Sequence, residues 1–204
     1  GDGLIYEATA AMMFHVPKDD IKKGGPRADL RSKGKVATLA CGYQGSTGAL
    51  IQMGALKSGI PEEELPNIVR RWRKANQNIV RFWYEVEEAA IGAVQGRPAT
   101  LDHGIHFECE AGYLFITLPS GRRLAYYRPE LKPEPQFEKL GLTYLGTGQN
   151  KQWVRQKSYG GKLVENITQA TARDCLRDAM TALEASGYRI VFHVHDEVIA
   201  DMPK

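Results

Sequence analysis

The sequence predicts an α+β fold, in which a helical first half precedes a half that combines antiparallel strands with one long helix. Two observations support this. Up to residue 99, apolar residues recur at the three- and four-residue spacing of helices, and Gly or Pro residues separate the segments. After residue 100 the pattern changes to short runs rich in β-branched and aromatic residues, bounded by turn residues. We therefore divide the chain into residues 1–99 and residues 100–204.

Helices are predicted in the first region at about residues 4–14, 28–43, 49–57 and 66–96. The last of these is a long amphipathic helix that begins at Pro66 and ends at Gly96, which suit the first turn and the end of a helix. Trp72, Phe82 and Trp83 fall at helical spacing in this segment, so we expect them to be core residues and not stacking platforms.

The second region is predicted to begin with strands at 106–110, 113–118 and 123–127. Residues 128–157 are rich in Pro, Gly and Lys, so we expect them to be irregular. A helix is predicted at about residues 162–186, where Gly187 ends it, and a hairpin at residues 189–202 closes the sequence.

Composition excludes several classes of protein. The 204 residues are 43% hydrophobic and 25% charged, as in ordinary globular proteins, and no apolar run has the length of a membrane span. The N-terminal residues lack the basic and apolar segments of a signal peptide. Three widely spaced cysteines argue for reduced thiols and against a disulfide framework or a zinc site. We therefore expect a cytoplasmic protein with no membrane partner.

The net charge of +3 is too small to identify a nucleic-acid-binding protein, but the basic residues are unevenly distributed. Residues 18–35 hold seven basic and three acidic residues, and residues 121–157 hold eight basic and three acidic residues. Such stretches form either a surface that faces phosphates or two solvated loops. Charge alone does not decide between these two interpretations.

The most informative local feature is the acidic pair Asp196-Glu197, which interrupts an apolar, β-prone run at residues 189–202. Val and Ile on both sides of the pair predict two strands. Carboxylates between buried strands are costly unless a cation meets them. Because a site with oxygen ligands is typical of Mg²⁺, we predict that Asp196 and Glu197 are metal ligands.

A second feature is a repeat of chemically distinct side chains every four residues of the helix predicted at 28–43. It consists of Arg31, Lys35, Leu39 and Tyr43. Steps of four residues turn by about 40° and rise by about 6 Å, so these side chains form one slowly winding stripe. Two cations followed by an aliphatic and an aromatic side chain suit a nucleoside triphosphate, although an amphipathic helix with a solvated basic end has the same pattern. Gly34 and Gly42 each cost about 1 kcal/mol relative to Ala, which indicates close approach by another element or hinge freedom.

These residues resemble the motifs of family A DNA polymerases, the DNA polymerase I-like family. Residues 31–45, which end in Ala-Cys-Gly-Tyr-Gln-Gly, resemble motif B in the variant of phage and prophage members. Residues 194–197, Val-His-Asp-Glu, resemble motif C. Residues 165–174 resemble the helix that precedes motif C, and residues 5–10 resemble the segment before motif B. The resemblance covers nearly the whole chain, with the motifs in the family order.

The resemblance implies a role for each matching residue in nucleotide transfer. Asp196 would hold catalytic Mg²⁺ and Glu197 would assist it, in a two-metal reaction that joins a dNTP to the primer 3′-hydroxyl. Lys35 would bind the incoming triphosphate and protonate the leaving pyrophosphate, and Arg31 would hold the phosphates. Tyr43 would stand beside the nascent base pair.

The resemblance also implies that the partners are dNTPs and primer–template DNA. His195 would lie near the primer terminus, and Gln169 and Asn166 would hydrogen-bond in the minor groove, where the acceptors are similar for all base pairs. Leu39 stands where many family members have Phe or Tyr, so we expect altered discrimination at the sugar 3′ position. Gln44 replaces a common Gly, and the sequence indicates no consequence of this replacement.

In the family's terms, the first region would be the fingers, with the motif B helix at about 28–43, and the second region would be part of the palm. The family's motif A supplies a further metal-binding Asp, and Asp2, the only acid before Glu7, lacks the context of that motif. We therefore expect a part of a longer polymerase, inactive by itself, whose remainder carries motif A and the thumb.

Two alternative functions remain open at this point. His193 and His195 share a strand face and, with Glu197, match a His-x-His transition-metal site of a metal-dependent hydrolase or oxygenase. The other alternative is a DNA-binding or processivity module that keeps a polymerase-like surface. The presence of Asp196 together with Lys35 favours the polymerase, since binding alone would not need both.

Overall fold

The structure, a computed structural model, describes residues 4–135, 139–148 and 150–201. Asp2 and Met202, which belong to the predicted N-terminal segment and hairpin, lie outside these residues. The helices are α1 (Ile5–Phe14), α2 (Lys18–Ile21), α3 (Leu30–Cys41), α4 (Thr47–Gln52), α5 (Leu65–Ala75), α6 (Gln77–Val94) and α7 (Gly160–Ala185). The strands are β1 (Ala99–Leu101), β2 (Ile105–Glu110), β3 (Tyr113–Thr117), β4 (Arg123–Glu134), β5 (Lys139–Thr147), β6 (Trp153–Ser158), β7 (Arg189–Val194) and β8 (Glu197–Asp201). The predicted α+β class is confirmed.

The chain forms two compact units. Among the described residues, the first comprises residues 4–88 with residues 159–164, and the second comprises residues 89–135, 139–148, 150–158 and 165–201. The chain passes from one unit to the other three times: within α6, between the end of β6 and the start of α7, and within α7. None of the helices in the described ranges combines the length and the apolar character that crossing a membrane requires.

Close packing of α1 against α3 characterises the first unit. A Cβ atom on Gly34 would lie 2.3 Å from the carbonyl oxygen of Tyr6 and 2.9 Å from the Cβ of Ala10, so only glycine allows this approach. Ala10 is itself buried in a cluster with Ile21 and Leu30. The close approach that Gly34 indicated in the sequence is therefore made by α1.

The prediction of one helix over residues 66–96 is wrong, because α5 and α6 are separate helices. Asn76 lies between them with φ −121° and ψ 48°, and its Nδ2 donates a hydrogen bond to the carbonyl oxygen of Trp72 at 2.8 Å. An Asn side chain that bonds the local backbone in this way competes with the helical ladder. The expected core role is confirmed for Trp72 and Trp83, which are buried and stack with their ring centroids 5.8 Å apart, whereas Phe82 is half-buried.

The prediction that residues 128–157 are irregular is also wrong. Most of them belong to β4, β5 and β6, which complete an antiparallel sheet in the order β1-β2-β3-β4-β5-β6 within the described residues. One of the prolines that suggested a loop, Pro129, lies in the irregularity between Tyr127 and Glu130, where the register shifts. Cross-strand pairs such as Leu131 with Leu142 stabilise the strands and outweigh the local composition.

The predicted hairpin at the end of the chain is present as β7 and β8, which pair antiparallel. Within the described residues it is a separate sheet of these two strands, and most of its large apolar side chains are exposed, with Val191 at 58% and Phe192 at 53%, whereas Ile190 and Val198 are half-buried. The expectation that buried strands flank the acidic pair is therefore wrong for this structure. The physical reason is that a two-stranded hairpin has no layer of its own that can cover either face.

Candidate active-site residues

The predicted stripe lies on the exposed face of α3. Arg31, Lys35 and Leu39 are exposed, and Leu39 keeps 44% of its surface accessible. The opposite face is buried and includes Leu30, Val36, Ala37, Ala40 and Cys41. Tyr43 follows the end of the helix by two residues and is half-buried. The stripe is therefore helical only as far as Leu39, and Tyr43 belongs to the turn that follows.

Helix α1 orients the two cations of the stripe. The Nε of Arg31 donates a hydrogen bond to Oε1 of Glu7 at 2.6 Å, and the carboxylate of Glu7 is buried. The ring of Tyr6 lies beside both cations, with its centroid 5.6 Å from Cζ of Arg31 and 5.9 Å from Nζ of Lys35. A buried carboxylate and an aromatic ring thus position the guanidinium at the start of α3.

Reasoning from sequence did not assign roles to Tyr6 and Glu7. A signal for Glu7 was present, since it is the single charged residue in the helix Ile5–Phe14. A carboxylate among apolar residues is costly to bury unless a cation meets it. The cation, Arg31, is 24 residues away in the sequence, so spacing within one helix could not identify the pair.

The turn that carries Tyr43, residues 42–45, is held by two neighbouring helices. The indole Nε1 of Trp83 donates a hydrogen bond to the carbonyl oxygen of Gly42 at 3.0 Å. The Nη2 of Arg73 donates to the carbonyl oxygen of Gly45 at 3.3 Å. Helices α5 and α6 therefore fix the backbone on both sides of Tyr43.

A third helix meets the same turn. The backbone N–H of Gly161 in α7 donates a hydrogen bond to Oε1 of Gln44 at 2.8 Å. A Cβ atom on Gly161 would lie 2.4 Å from the carbonyl oxygen of Tyr43, so glycine is required for this approach. Gln44, which follows Tyr43 directly, had no evident role in the sequence. Its side chain connects the turn of residues 42–45 to the first turn of α7.

Nearby, burial raises the pKa of the Cys41 thiol to about 11, which keeps it protonated and structural at neutral pH.

The acidic pair lies at the tip of the β7–β8 hairpin. Val194 pairs with Glu197, so His195 and Asp196 form a two-residue turn. His195 has φ 54°, a left-handed conformation that is uncommon for residues with a side chain. The side chains of His195, Asp196 and Glu197 are all exposed. The turn therefore presents both carboxylates to solvent.

The two carboxylates fit a magnesium ion in the chemistry of their donors. Mg²⁺ is usually bound through one or two carboxylates, with the other positions taken by water and substrate phosphates. In the part of the chain that the structure describes, no three His, Cys, Asp or Glu residues gather into a metal-binding group. Asp196 and Glu197 together offer carboxylate oxygens of the kind that Mg²⁺ prefers. The absence of a third neighbouring ligand gives no geometric support to a site of His193, His195 and Glu197 among the described residues.

Two of the three residues predicted to contact DNA, Asn166 and Gln169, lie on α7 in the second unit. Asn166 donates a hydrogen bond from Nδ2 to the hydroxyl of Tyr126 at 2.9 Å, whereas Gln169 is exposed. Both line a groove of about 490 Å³ between α7 and the sheet, which we call the α7 groove. Its polar lining consists of Arg122, Tyr126, Tyr144, Asn166, Gln169 and Arg173. The sequence pattern indicated no individual role for four of these residues, Arg122, Tyr126, Tyr144 and Arg173.

The chain matches no protein-family model. A protein of Bacillus phage SP02 named DNA polymerase is 57% identical over 203 residues, which cover 99% of this chain and 31% of the phage protein. The chain thus spans about a third of the length of that relative. Along nearly all of its own length, the chain is similar to part of a phage protein named DNA polymerase.

Proposed function

We propose that the chain is part of a family A DNA polymerase, comprising its fingers and part of its palm, and takes part in template-directed transfer of a nucleotide from a dNTP to a primer 3′-hydroxyl. The 57% identity to the phage DNA polymerase over nearly the whole chain is the observation that carries this proposal. The exposure of Arg31, Lys35 and Asp196 supports it, because each must reach a ligand. The remainder of a longer parent protein would supply motif A and the thumb.

The exposed face of α3 would bind the triphosphate. A guanidinium carries five N–H donors, and the bond from Nε to Glu7 sets the plane in which Arg31 presents the others to phosphate oxygens. Lys35, one turn further along α3, would hold a second phosphate and donate a proton to the leaving pyrophosphate. Leu39 and Tyr43 would contact the sugar and the nascent base pair. The contacts that hold residues 42–45 would keep Tyr43 in place.

The β7–β8 turn would bring the two carboxylates to the reacting phosphate. Asp196 and Glu197 would hold Mg²⁺, which when bound supplies positive charge at the attacking and leaving oxygens. His195 would lie beside the primer terminus, and Gln169 and Asn166 would contact the minor groove. A further Asp from the remainder of the protein would complete the ligand set.

Substitution of Asp196 in the full-length polymerase tests this proposal. Asp196→Asn is expected to lower the rate of primer extension by about a thousandfold, since loss of metal charge stabilisation is worth several kcal/mol, while DNA affinity stays nearly unchanged. Asp201→Asn is the matched control, because Asp201 is an exposed acid of the same hairpin. Normal primer extension by the Asp196→Asn variant would contradict the metal-binding role proposed for Asp196, whereas a wild-type protein that binds DNA without extending primers would favour a binding module.

The isolated chain should fail to extend a primer, because it would lack the third carboxylate and the thumb. Template-dependent incorporation is measured with the purified 204-residue chain, labelled primer–template DNA and Mg²⁺. Full-length enzyme in the same assay is the positive control. Measurable extension by the isolated chain would show that the expected division of the active site is wrong.

A further inference from the structure

The α7 groove has a lining suited to an anion. Among the described residues that line it, two are arginines and none is acidic. Tyr126 and Tyr144 stand edge to face, with ring centroids 5.0 Å apart. Tyr126 is buried and is bonded to Asn166, so this part of the groove is preorganised. The groove therefore combines a rigid aromatic wall with positive charge.

The two arginines of the groove differ in their contacts. Arg122 donates from Nε to Oδ1 of Asp174 at 2.7 Å and from Nη2 to the carbonyl oxygen of Ala170 at 2.7 Å. Asp174 also accepts a hydrogen bond from the hydroxyl of Ser120 at 2.6 Å. Arg122 is thus fixed to α7, and a carboxylate balances its charge. Its role in the groove is structural.

Arg173 is exposed, and no ion pair to it occurs among the described residues. Arg177, one turn further along α7, behaves differently, since its Nη2 lies 2.8 Å from Oδ1 of Asp178. The positive charge of Arg173 is therefore the one in the groove that no described carboxylate balances.

Gln169 and Arg173 are four residues apart on α7, so they lie on the same face about 6 Å apart along the axis. Gln169 offers an amide, which suits base edges or sugars, and Arg173 offers a guanidinium, which suits a phosphate. Each strand of duplex DNA carries a phosphate about every 3.4 Å of its axis. A phosphate would thus lie within reach of Arg173 when Gln169 meets a neighbouring nucleotide.

We propose that the α7 groove binds the sugar–phosphate backbone of DNA, with Arg173 as the phosphate ligand and Gln169 contacting the adjacent nucleotide. This inference rests on the proposed function and assigns it a further DNA-binding residue. The contact that Arg173 makes is electrostatic and independent of sequence, because its ligand is a phosphate and not a base edge.

The test uses full-length polymerase, a fluorescent primer–template duplex and a series of KCl concentrations. Arg173→Gln is expected to weaken DNA binding about three- to tenfold at physiological salt and to reduce the slope of log K against log salt by about 0.9, the value for one lost phosphate contact. Arg173→Lys, which keeps the charge, should retain the wild-type slope. Arg177→Gln is the matched control and should change neither affinity nor slope, since Arg177 is paired with Asp178.

An unchanged salt slope with Arg173→Gln would overturn the inference, and so would an equal loss with Arg177→Gln, which would indicate a general effect of charge. Thermal unfolding of each variant confirms that the fold is retained, as expected for an exposed side chain. Primer extension by the wild type at saturating DNA separates the two proposals. If the wild type extends primers and Arg173→Gln leaves the slope unchanged, this inference alone fails; if the wild type does not extend primers, the proposed function fails.

Discussion

Gln44 and Gly161 are 117 residues apart in the sequence, yet the N–H of Gly161 donates a hydrogen bond to Oε1 of Gln44 at 2.8 Å. Gly161 lies in the first turn of α7, where N–H groups have no helical acceptor, so the amide of Gln44 caps this helix. Gln44 has φ 68°, which is uncommon for a residue with a side chain. Tertiary contacts therefore hold Gln44 in a conformation that its local sequence disfavours.

Two substitutions of Gln44 should distinguish the free energy that the helix cap contributes from the free energy that the left-handed backbone costs. Gln44→Ala loses the hydrogen bond and keeps the left-handed conformation, so we expect a loss of about 1 kcal/mol in the free energy of unfolding. Gln44→Gly loses the same bond but adopts this φ without strain, so it should be less destabilised than Gln44→Ala. Urea unfolding followed by tryptophan fluorescence measures both values. Equal stability of Gln44→Ala and wild type would show that the cap contributes nothing.

Alanine at two helical glycines should have opposite effects. Gly34→Ala would place its Cβ 2.3 Å from the carbonyl oxygen of Tyr6, so we expect overpacking to cost about 1–3 kcal/mol in spite of the better helix propensity of Ala. Gly48 lies in α4, and a Cβ atom added there would have no neighbouring atom within 4 Å, so Gly48→Ala should stabilise by up to about 1 kcal/mol. Denaturant unfolding checks the signs. A stabilising Gly34→Ala would mean that α1 can move away from α3.

Glycine at position 195 should stabilise the β7–β8 hairpin, because φ 54° at the tip of the hairpin costs about 1 kcal/mol for a residue with a Cβ atom. His195→Gly is expected to slow hydrogen exchange of the β7–β8 amides about fivefold, the factor that corresponds to about 1 kcal/mol. His195→Ala removes the imidazole but keeps the strain, so it should not slow exchange. If both variants exchange like the wild type, the turn is not strained.

Acid stability should depend on Asp174. Hydrogen bonds from the Ser120 hydroxyl and the Arg122 guanidinium hold the pKa of this carboxyl below its ordinary value of 3.8. The unfolded chain therefore takes up a proton before the folded chain does, so this stabilisation is present above pH 3.8 and is lost as the pH falls through the lower folded pKa. Asp174→Asn should reduce the loss of stability on acidification, because the carboxyl group that takes up the proton is then absent. Unfolding curves between about pH 2.5 and about pH 7 test this, and identical acid limbs for wild type and Asp174→Asn would contradict it.

Leu39 should influence selection at the sugar 3′ position if the proposed function is correct. Leu39 is 44% exposed on α3, so a larger ring can be accommodated there without repacking the core. Leu39→Tyr in the complete polymerase is expected to change the ratio of dideoxynucleotide to deoxynucleotide incorporation. The ratio is measured by competition in primer extension with wild type as the reference, and equal ratios would contradict the expectation.

Local patterns predicted the features that depend on neighbouring residues. Helical periodicity placed Trp72 and Trp83 in the core, and β-branched residues on both sides of Asp196 predicted its hairpin. Composition gave a wrong prediction for residues 128–157, where pairing between strands decides the structure. Leu131 and Leu142 pair within a segment whose Pro and Gly content suggested a loop, because cross-strand contacts contribute energy that local propensity does not include.

The sequence by itself determined the α+β class, the exposed stripe that begins at Arg31, and the turn that presents Asp196, because each depends on spacing along one helix or one hairpin. Only the tertiary structure decided that Glu7 orients Arg31, that Gln44 caps α7, and that no described carboxylate balances Arg173 in its groove. The first two relationships join residues that are far apart in the chain, and the third depends on which carboxylates lie near each arginine in the folded chain. Their energies arise from burial and hydrogen bonding that exist only once the elements have packed.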